Sequence, residues 1–218
     1  MSHRQRADLQ PPCHLLQGGR EFFPALIAAI DAAQRSVQME TYIFDAHGAG
    51  AEVAQALMRA ARRGLSVQLL IDGLGADGLD PSWRQRLQQA GVQLQLFAPL
   101  GRVWASVRLL LAPAQWRRLH RKLCVVDGVL AFCGGINILD DMHDPRHGVL
   151  PAPRLDFCVQ LRGPLVADIY QAMHQLWLRQ PGVHGFQRQA LAEAWLPQPA
   201  DRRPAPGPEP QRRSLRPP

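Results

Sequence analysis

The residues with the clearest capacity for chemistry lie between His120 and Asn137, in the run HRKLCVVDGVLAFCGGIN. The apolar residues after Lys122 predict a strand, and alternate side chains of a strand share one face. His120 and Lys122 then point one way and Arg121 the other. A neutral imidazole can attack phosphorus while an ammonium holds the non-bridging oxygens, so the pair suits a phosphate ester. Gly134-Gly135 would let the backbone come close to a ligand, and the Asn137 amide can donate to the same oxygens. Asp127 turns a hairpin. A His-x-Lys pair by itself is as readily two solvated side chains. The whole spacing, H-x-K-x4-D-x6-G-G-x-N, carries the argument instead.

These residues need elements to position them. Phe22, Phe23, Leu26, Ile27 and Ile30 recur at helical spacing after a turn at Gly18-Gly19, and a short strand at Leu15-Leu16 precedes them. Ser36 to Phe44 reads as a strand. From Gly50, Val53, Ala54, Leu57, Ala60 and Ala61 form a second helical face that Gly64 should stop. A strand over Leu65 to Ile71, a helix capped by Asp80-Pro81 and a strand over Val92 to Phe97 follow. Such strand–helix–strand units imply parallel strands with crossover helices. His120–Val126 and Val129–Cys133 flank Asp127-Gly128, a strong hairpin signal. A polar loop from Leu139 to Pro153, a strand over Leu155 to Leu161 and a helix from Gly163-Pro164 through Trp177 complete the pattern. The loop's acids and histidines resemble a metal cluster, but a solvated loop is the expectation.

Of 218 residues, 46% are hydrophobic and 20% charged, which excludes collagen-like, disulfide-scaffold and wholly disordered classes. The net charge of +7 points to an anionic partner: phosphate, nucleic acid or lipid headgroup. Cys13, Cys124, Cys133 and Cys158 form no C-x-x-C pair, and three lie in apolar runs, so they read as free thiols in a reducing compartment. No apolar h-region opens the chain and no run reaches the length of a membrane span. Residues 1–12 are expected to be a loose arm and 13–180 one α/β domain with a mixed sheet flanked by helices. Residues 181–218, rich in proline and arginine, read as a disordered tail. Between Gly101 and Arg121, Arg102, Arg108, Arg117, Arg118 and Arg121 alternate with Trp104, Trp116 and an aliphatic run, a pattern suited to a membrane surface carrying anionic lipid.

The spacing from His120 to Asn137 resembles the signature of the phospholipase D superfamily at all its fixed positions. Over about residues 13–180, the segments QMETYIF, LLIDGLG and LDFCVQLRGPLVADIYQAMHQLW are similar to the amino-terminal half of bacterial cardiolipin synthases. The resemblance implies a single copy of the phospholipase D-like fold and phosphatidyl transfer through a phosphohistidine, with no cofactor and no metal. His120 would be the nucleophile, with Lys122, Asp127 and Asp156 completing the catalytic set. Asp156 stands where the family places an acid that hydrogen-bonds the histidine. Gly134, Gly135 and Asn137 would bind substrate. From their places near strand ends, Glu40 and Asp72 are further candidates for the site rim, Glu40 as a substrate-binding residue and Asp72 equally readable as a turn residue.

The synthases carry two such motifs in a chain of roughly double length, whereas His3, His14, His47, His143, His147, His174 and His184 all lack a lysine two positions on. One histidine does not easily both attack phosphorus and protonate the departing alkoxide. Three readings follow: a homodimer in which each chain contributes His120, as in single-motif phosphodiesterases and nucleases; a half-enzyme or truncated product with a separate partner; or an inactive lipid- or phosphate-binding module. The expected substrate is phosphatidylglycerol or a similar anionic lipid, with nucleic acid the less favoured partner. The expected location is cytoplasmic, peripheral on the inner face of a bacterial cell membrane.

Overall fold

The computed structural model describes residues 13–99, 118–144 and 148–180. The arm over 1–12, the tail over 181–218, and Arg102, Arg108, Arg117 and both tryptophans of the basic segment lie outside them. The described chain opens with β1 (Cys13–Gln17), α1 (Gly18–Ala32), β2 (Ser36–Thr41), α2 (Ala49–Arg62), β3 (Ser66–Asp72), α3 (Pro81–Gln89) and β4 (Gln93–Phe97). It continues with β5 (Leu123–Val126), β6 (Leu130–Gly134), the short strands β7 (His143–Asp144) and β8 (Gly148–Val149), β9 (Phe157–Arg162) and α4 (Leu165–Leu178).

Seven strands form one mixed sheet in the order β1-β9-β6-β5-β2-β3-β4. The β2, β3 and β4 strands run parallel, joined by α2 and α3, and every other neighbouring pair is antiparallel. This is the expected mixed α/β sheet with flanking helices. One face packs Val37, Met39, Leu69, Cys124 and Phe132 against Leu26 and Ile30 of α1 and Val53 and Leu57 of α2. The other packs Val125 and Ala131 against Val166 and Met173 of α4. Central strands covered on both faces need apolar residues at successive positions, and Leu69, Leu70 and Ile71 supply them.

The terminating signals act as their chemistry requires. Gly64 (φ +87°) ends α2: its N–H donates to Ala61 O and that of Leu65 to Ala60 O, the paired bonds of a Schellman motif. The Asp80 carboxylate accepts from Ser82 N and Trp83 N at 2.7 and 3.0 Å, with Pro81 as the first helical residue. Asp127 and Gly128 both take positive φ, +53° and +69°, in a turn closed by Val129 N donating to Val126 O. The ladder pairs Val126 with Leu130, so three residues rather than the expected two connect β5 and β6.

Two expectations change. Gly18-Gly19 is the first turn of α1 rather than a turn before it, because the Asp141 carboxylate accepts the Gly19 N–H and anchors that helix end. The polar loop is built rather than merely solvated. Arg154 donates to Asp140 O, His143 O and the Asp144 carboxylate, and β7 pairs with β8. Among the described residues no group of three or more His, Cys, Asp or Glu could hold a metal ion, and no helix is long and apolar enough to cross a membrane.

Candidate active site

The sheet's connectivity brings several chain segments to one edge. Because β5 runs antiparallel to β2, with Leu123 opposite Glu40, the residues entering β5 lie beside the end of β2. The β6 strand returns antiparallel to β5, so Gly135 and Asn137 leave the sheet at the same edge, and Asp156 enters β9 there. The backbone stitches these ends together: Ile138 N donates to Ile43 O, Asp45 N to Ile138 O and Gly135 N to Phe157 O.

At this edge Lys122 Nζ lies 3.3 Å from His120 Nε2, which places both side chains on one face. An ammonium can only donate, so Nε2 accepts and the imidazole proton belongs on Nδ1. The nitrogen carrying the lone pair is thus the one beside the cation. Burial pushes the Lys122 ammonium below the ordinary lysine range, opposed by the negative charge of Asp156. A shallow pocket beneath it, lined by Thr41, Cys124, Phe132, Ile136 and Ile138, supplies the apolar surroundings. His120 itself is exposed.

Asn137 turns its Oδ1 to the N–H of Ile43 at 3.1 Å. That bond fixes the amide's orientation and directs its two N–H donors away from Ile43. The pair of glycines has a different reason from the one the sequence suggests. A Cβ on Gly134 would stand 2.4 Å from Phe157 O, and one on Gly135 would stand 2.0 Å from the Asp156 carboxylate. Both admit the close approach of the start of β9.

Asp156 reaches the site but not through the expected bond. Among the described residues no hydrogen bond joins it to His120. Its Oδ1 accepts from Phe157 N at 2.8 Å, and the carboxylate lies over Gly135 with its charge acting on Lys122. The nearest donor of its own strand has taken the oxygen.

Asp127 and Glu40 are placed elsewhere. Asp127 sits at the opposite end of β5, about 16 Å of strand from Lys122. Its carboxylate accepts from Gln34 N, Arg35 N and Ser36 N at 2.8–2.9 Å, so it holds the α1–β2 turn. Glu40 is not on the rim: at 2% exposure it lies on the other sheet face, with its oxygens 2.8 and 3.0 Å from Arg121 Nη2. Burial pushes its carboxyl up to about 7, with Arg121 pulling the other way. Arg118 likewise pairs inward with Asp72, at 3.4 Å, so neither described arginine of the basic segment is simply presented to a surface.

Tyr42 escaped the sequence reading, and Asp72, expected at the rim, lies inside the protein instead. The Tyr42 ring lies 5.2 Å from the His120 ring and 5.6 Å from Lys122 Nζ, a platform under the cation. Asp72, completely buried, accepts the N–H of Leu119 at 2.7 Å. Tyr42 read as one residue of the strand over Ser36 to Phe44, and Asp72 as readily as an ordinary turn residue.

Known proteins match this arrangement at several levels. The family described as "Cardiolipin synthase, PLD-like domain" matches residues 26–147, more than half the chain. Cardiolipin synthase B of Salmonella typhi is 37% identical, and that of Shigella flexneri 34%, each over 157 residues that cover 72% of this chain and 36% of the relative. The chain thus spans little more than a third of the length of these curated relatives. A phospholipase D family member, Nuc, from Salmonella typhimurium shares the fold with a TM-score of 0.54 at 18% identity, over 77% of this chain and 95% of that one. With His120, Lys122 and Asn137 brought to one end of the sheet and the family matched across the motif, the chain belongs to the phospholipase D-like domain family of the cardiolipin synthases.

Proposed function

We propose that this chain supplies one half of a phosphatidyltransferase site, with His120 as nucleophile and a second motif contributed by a partner chain. The observation that carries the reading is the 3.3 Å approach of Lys122 Nζ to His120 Nε2, at the end of the sheet where Ile43 N also holds the Asn137 amide. A phosphodiester entering here would accept from Nζ and from the Asn137 amide, freeing the Nε2 lone pair to meet phosphorus. Attack forms an N–P bond and breaks the bond from phosphorus to the leaving glycerol, whose oxygen takes a proton from the partner's acid. A lipid hydroxyl, giving its proton back to that group, then attacks phosphorus and releases Nε2.

Phosphatidylglycerol is the proposed donor and the alcohol of a second lipid the acceptor, at an anionic membrane surface that the basic residues favour. The partner is a second copy of this chain or a separately encoded complementary half. A second copy has support in the 95% coverage of the Salmonella chain, where a span of this size stands as a whole chain. The same arrangement also serves a homodimeric phosphodiesterase, in which water replaces the lipid alcohol and a nucleic acid can replace the lipid.

Labelled phosphatidylglycerol in vesicles, incubated with the full chain, tests the reading. Transfer of label to cardiolipin, with an acid-labile phosphoprotein lost in His120→Ala, is expected. Turnover that survives His120→Ala overturns the phosphohistidine, and cleavage of nucleic acid without lipid product overturns the substrate class.

A further inference from the structure

Ladder pairing between β5 and β2 stops at Leu123 opposite Glu40, so β2 exchanges no ladder bonds with residues 118–122. From β6 the segment receives one bond, Gly134 N to Lys122 O at 3.2 Å. Arg118 Nη1 donates to Ala98 O at 3.2 Å, and two buried carboxylates on the neighbouring strands add further anchors. Asp72, last residue of β3 and fully buried, accepts from Leu119 N at 2.7 Å and takes Arg118 Nη1 at 3.4 Å; its Oδ1 also accepts from Leu74 N. Glu40, near the end of β2, holds the Arg121 guanidinium. The gripped residues, Leu119 and Arg121, stand immediately before and after His120 in the chain.

We infer that Glu40 and Asp72 are positioning residues for His120, clamping the segment from behind so that its imidazole and the Lys122 ammonium face the same phosphate. The inference rests on the reading of His120 as nucleophile, and it extends that reading to two acids that touch neither His120 nor Lys122. A purely stabilising role explains the arrangement poorly. Burying a carboxylate against an arginine often adds little or nothing to stability relative to apolar residues of the same shape, and the upward push on the Glu40 carboxyl is the sign of that cost. A placement role explains it directly: side-chain hydrogen bonds are the means left for fixing a segment that has run past its ladder. The expected gain is in rate, since misplacing a reacting group by about 1 Å can cost ~100-fold.

The test uses the full-length protein and four variants: Glu40→Gln, Arg121→Gln, Asp72→Ala and Asp72→Asn. Amide exchange at Leu119 and the ring shifts of His120 are followed by NMR with and without inorganic phosphate, alongside thermal melting and phosphatidylglycerol turnover. Asp72→Ala should speed exchange at Leu119 at least ~10-fold relative to the rest of β3 and lower kcat by ~100-fold with KM little changed. Asp72→Asn keeps an oxygen for the Leu119 N–H but turns its amide nitrogen toward Leu74 N and Arg118, so it should recover part of both. Glu40→Gln and Arg121→Gln should shift the His120 ring signals and weaken their response to phosphate. If all four variants keep the wild-type ring shifts and Leu119 exchange, the inference is wrong; turnover that falls only with the folded fraction overturns it equally. If Asp72→Ala does not fold, the Asn variant and the two Gln variants decide. A wild type that turns over no lipid rejects the proposed reaction, while ring shifts and amide exchange still judge the clamp.

Discussion

Lys122 is the residue through which pH should reach this site. Its ammonium must stay charged to hold a phosphate, and burial already brings its pKa down while Asp156 opposes that fall. Asp156→Asn removes the opposing charge and leaves the burial. The pKa of Lys122 should therefore fall further, and the alkaline limb of any activity should move to lower pH with the acid limb little affected. A pH–rate profile, or the Nζ signal of Lys122 followed by NMR, reads the shift; a limb that stays or moves upward contradicts the placement of Asp156 beside Lys122. At this scale the sequence made part of the site legible and hid the rest. That His120 and Lys122 share a face follows from strand alternation, which depends on backbone geometry alone. Which donor Asp156 meets does not, because its Oδ1 accepts from Phe157 N and the carboxylate lies over Gly135, contacts that depend on how β9 enters the sheet. Tyr42 was equally hidden, since its contact arises only when the ends of β2 and β5 meet.

Among the elements, the β5–β6 hairpin shows how local signals and distant contacts divide the work. Asp127-Gly128 announces the turn because two consecutive positive φ angles suit these residues better than most. The second task of Asp127, capping three backbone N–H groups at Gln34, Arg35 and Ser36, spans more than 90 residues of sequence and left no local trace. Hydrogen bonds to a charged acceptor are worth about 1.5–3 kcal/mol each when buried, and less where water competes as it does here. Asp127→Ala should thus lower unfolding stability by about 2–4 kcal/mol in urea titrations, while His120 in the folded protein keeps its ring shifts. A loss of phosphate binding at full stability would instead return Asp127 to the site. The pair between β2 and the segment entering β5 carries a pH signature of its own. The folded-state pKa of Glu40, about 7, lies above the ordinary glutamate value of 4.5. The native state therefore keeps its proton where the unfolded chain has lost it, and stability from this group falls as pH rises from about 4.5 to about 7. Glu40→Gln cannot titrate. Its stability relative to wild type should rise between pH 5 and pH 8, and urea midpoints at the two pH values measure the difference. A constant gap would mean that Glu40 is charged throughout.

For the whole molecule the deciding facts are length and the number of motifs. The fold is shared over 95% of the Salmonella Nuc chain, while the chain covers only 36% of each of the two cardiolipin synthase B relatives. The chain's single H-x-K-x4-D motif leaves the proton for the departing alkoxide without a donor at the proposed nucleophile. Composition could foresee the domain, because an apolar fraction of 46% and regular strand–helix periodicity suffice for that. It could not supply the partner, since an interface between two chains leaves no spacing rule in one of them. Stoichiometry can. If two copies share one site and both His120 residues are needed, unfolding and refolding wild type with an equal amount of His120→Ala leaves a wild-type pair in about a quarter of the dimers by random association. Activity per total chain should then fall to about a quarter, and a plot against the wild-type fraction should follow its square. A chain that acts alone, or one whose partner is a different polypeptide in excess, gives a straight line with about half the activity at equal mixing. The curvature of that plot, read with lipid turnover or with the phosphoenzyme, separates a self-sufficient homodimer from a half-enzyme awaiting another gene product.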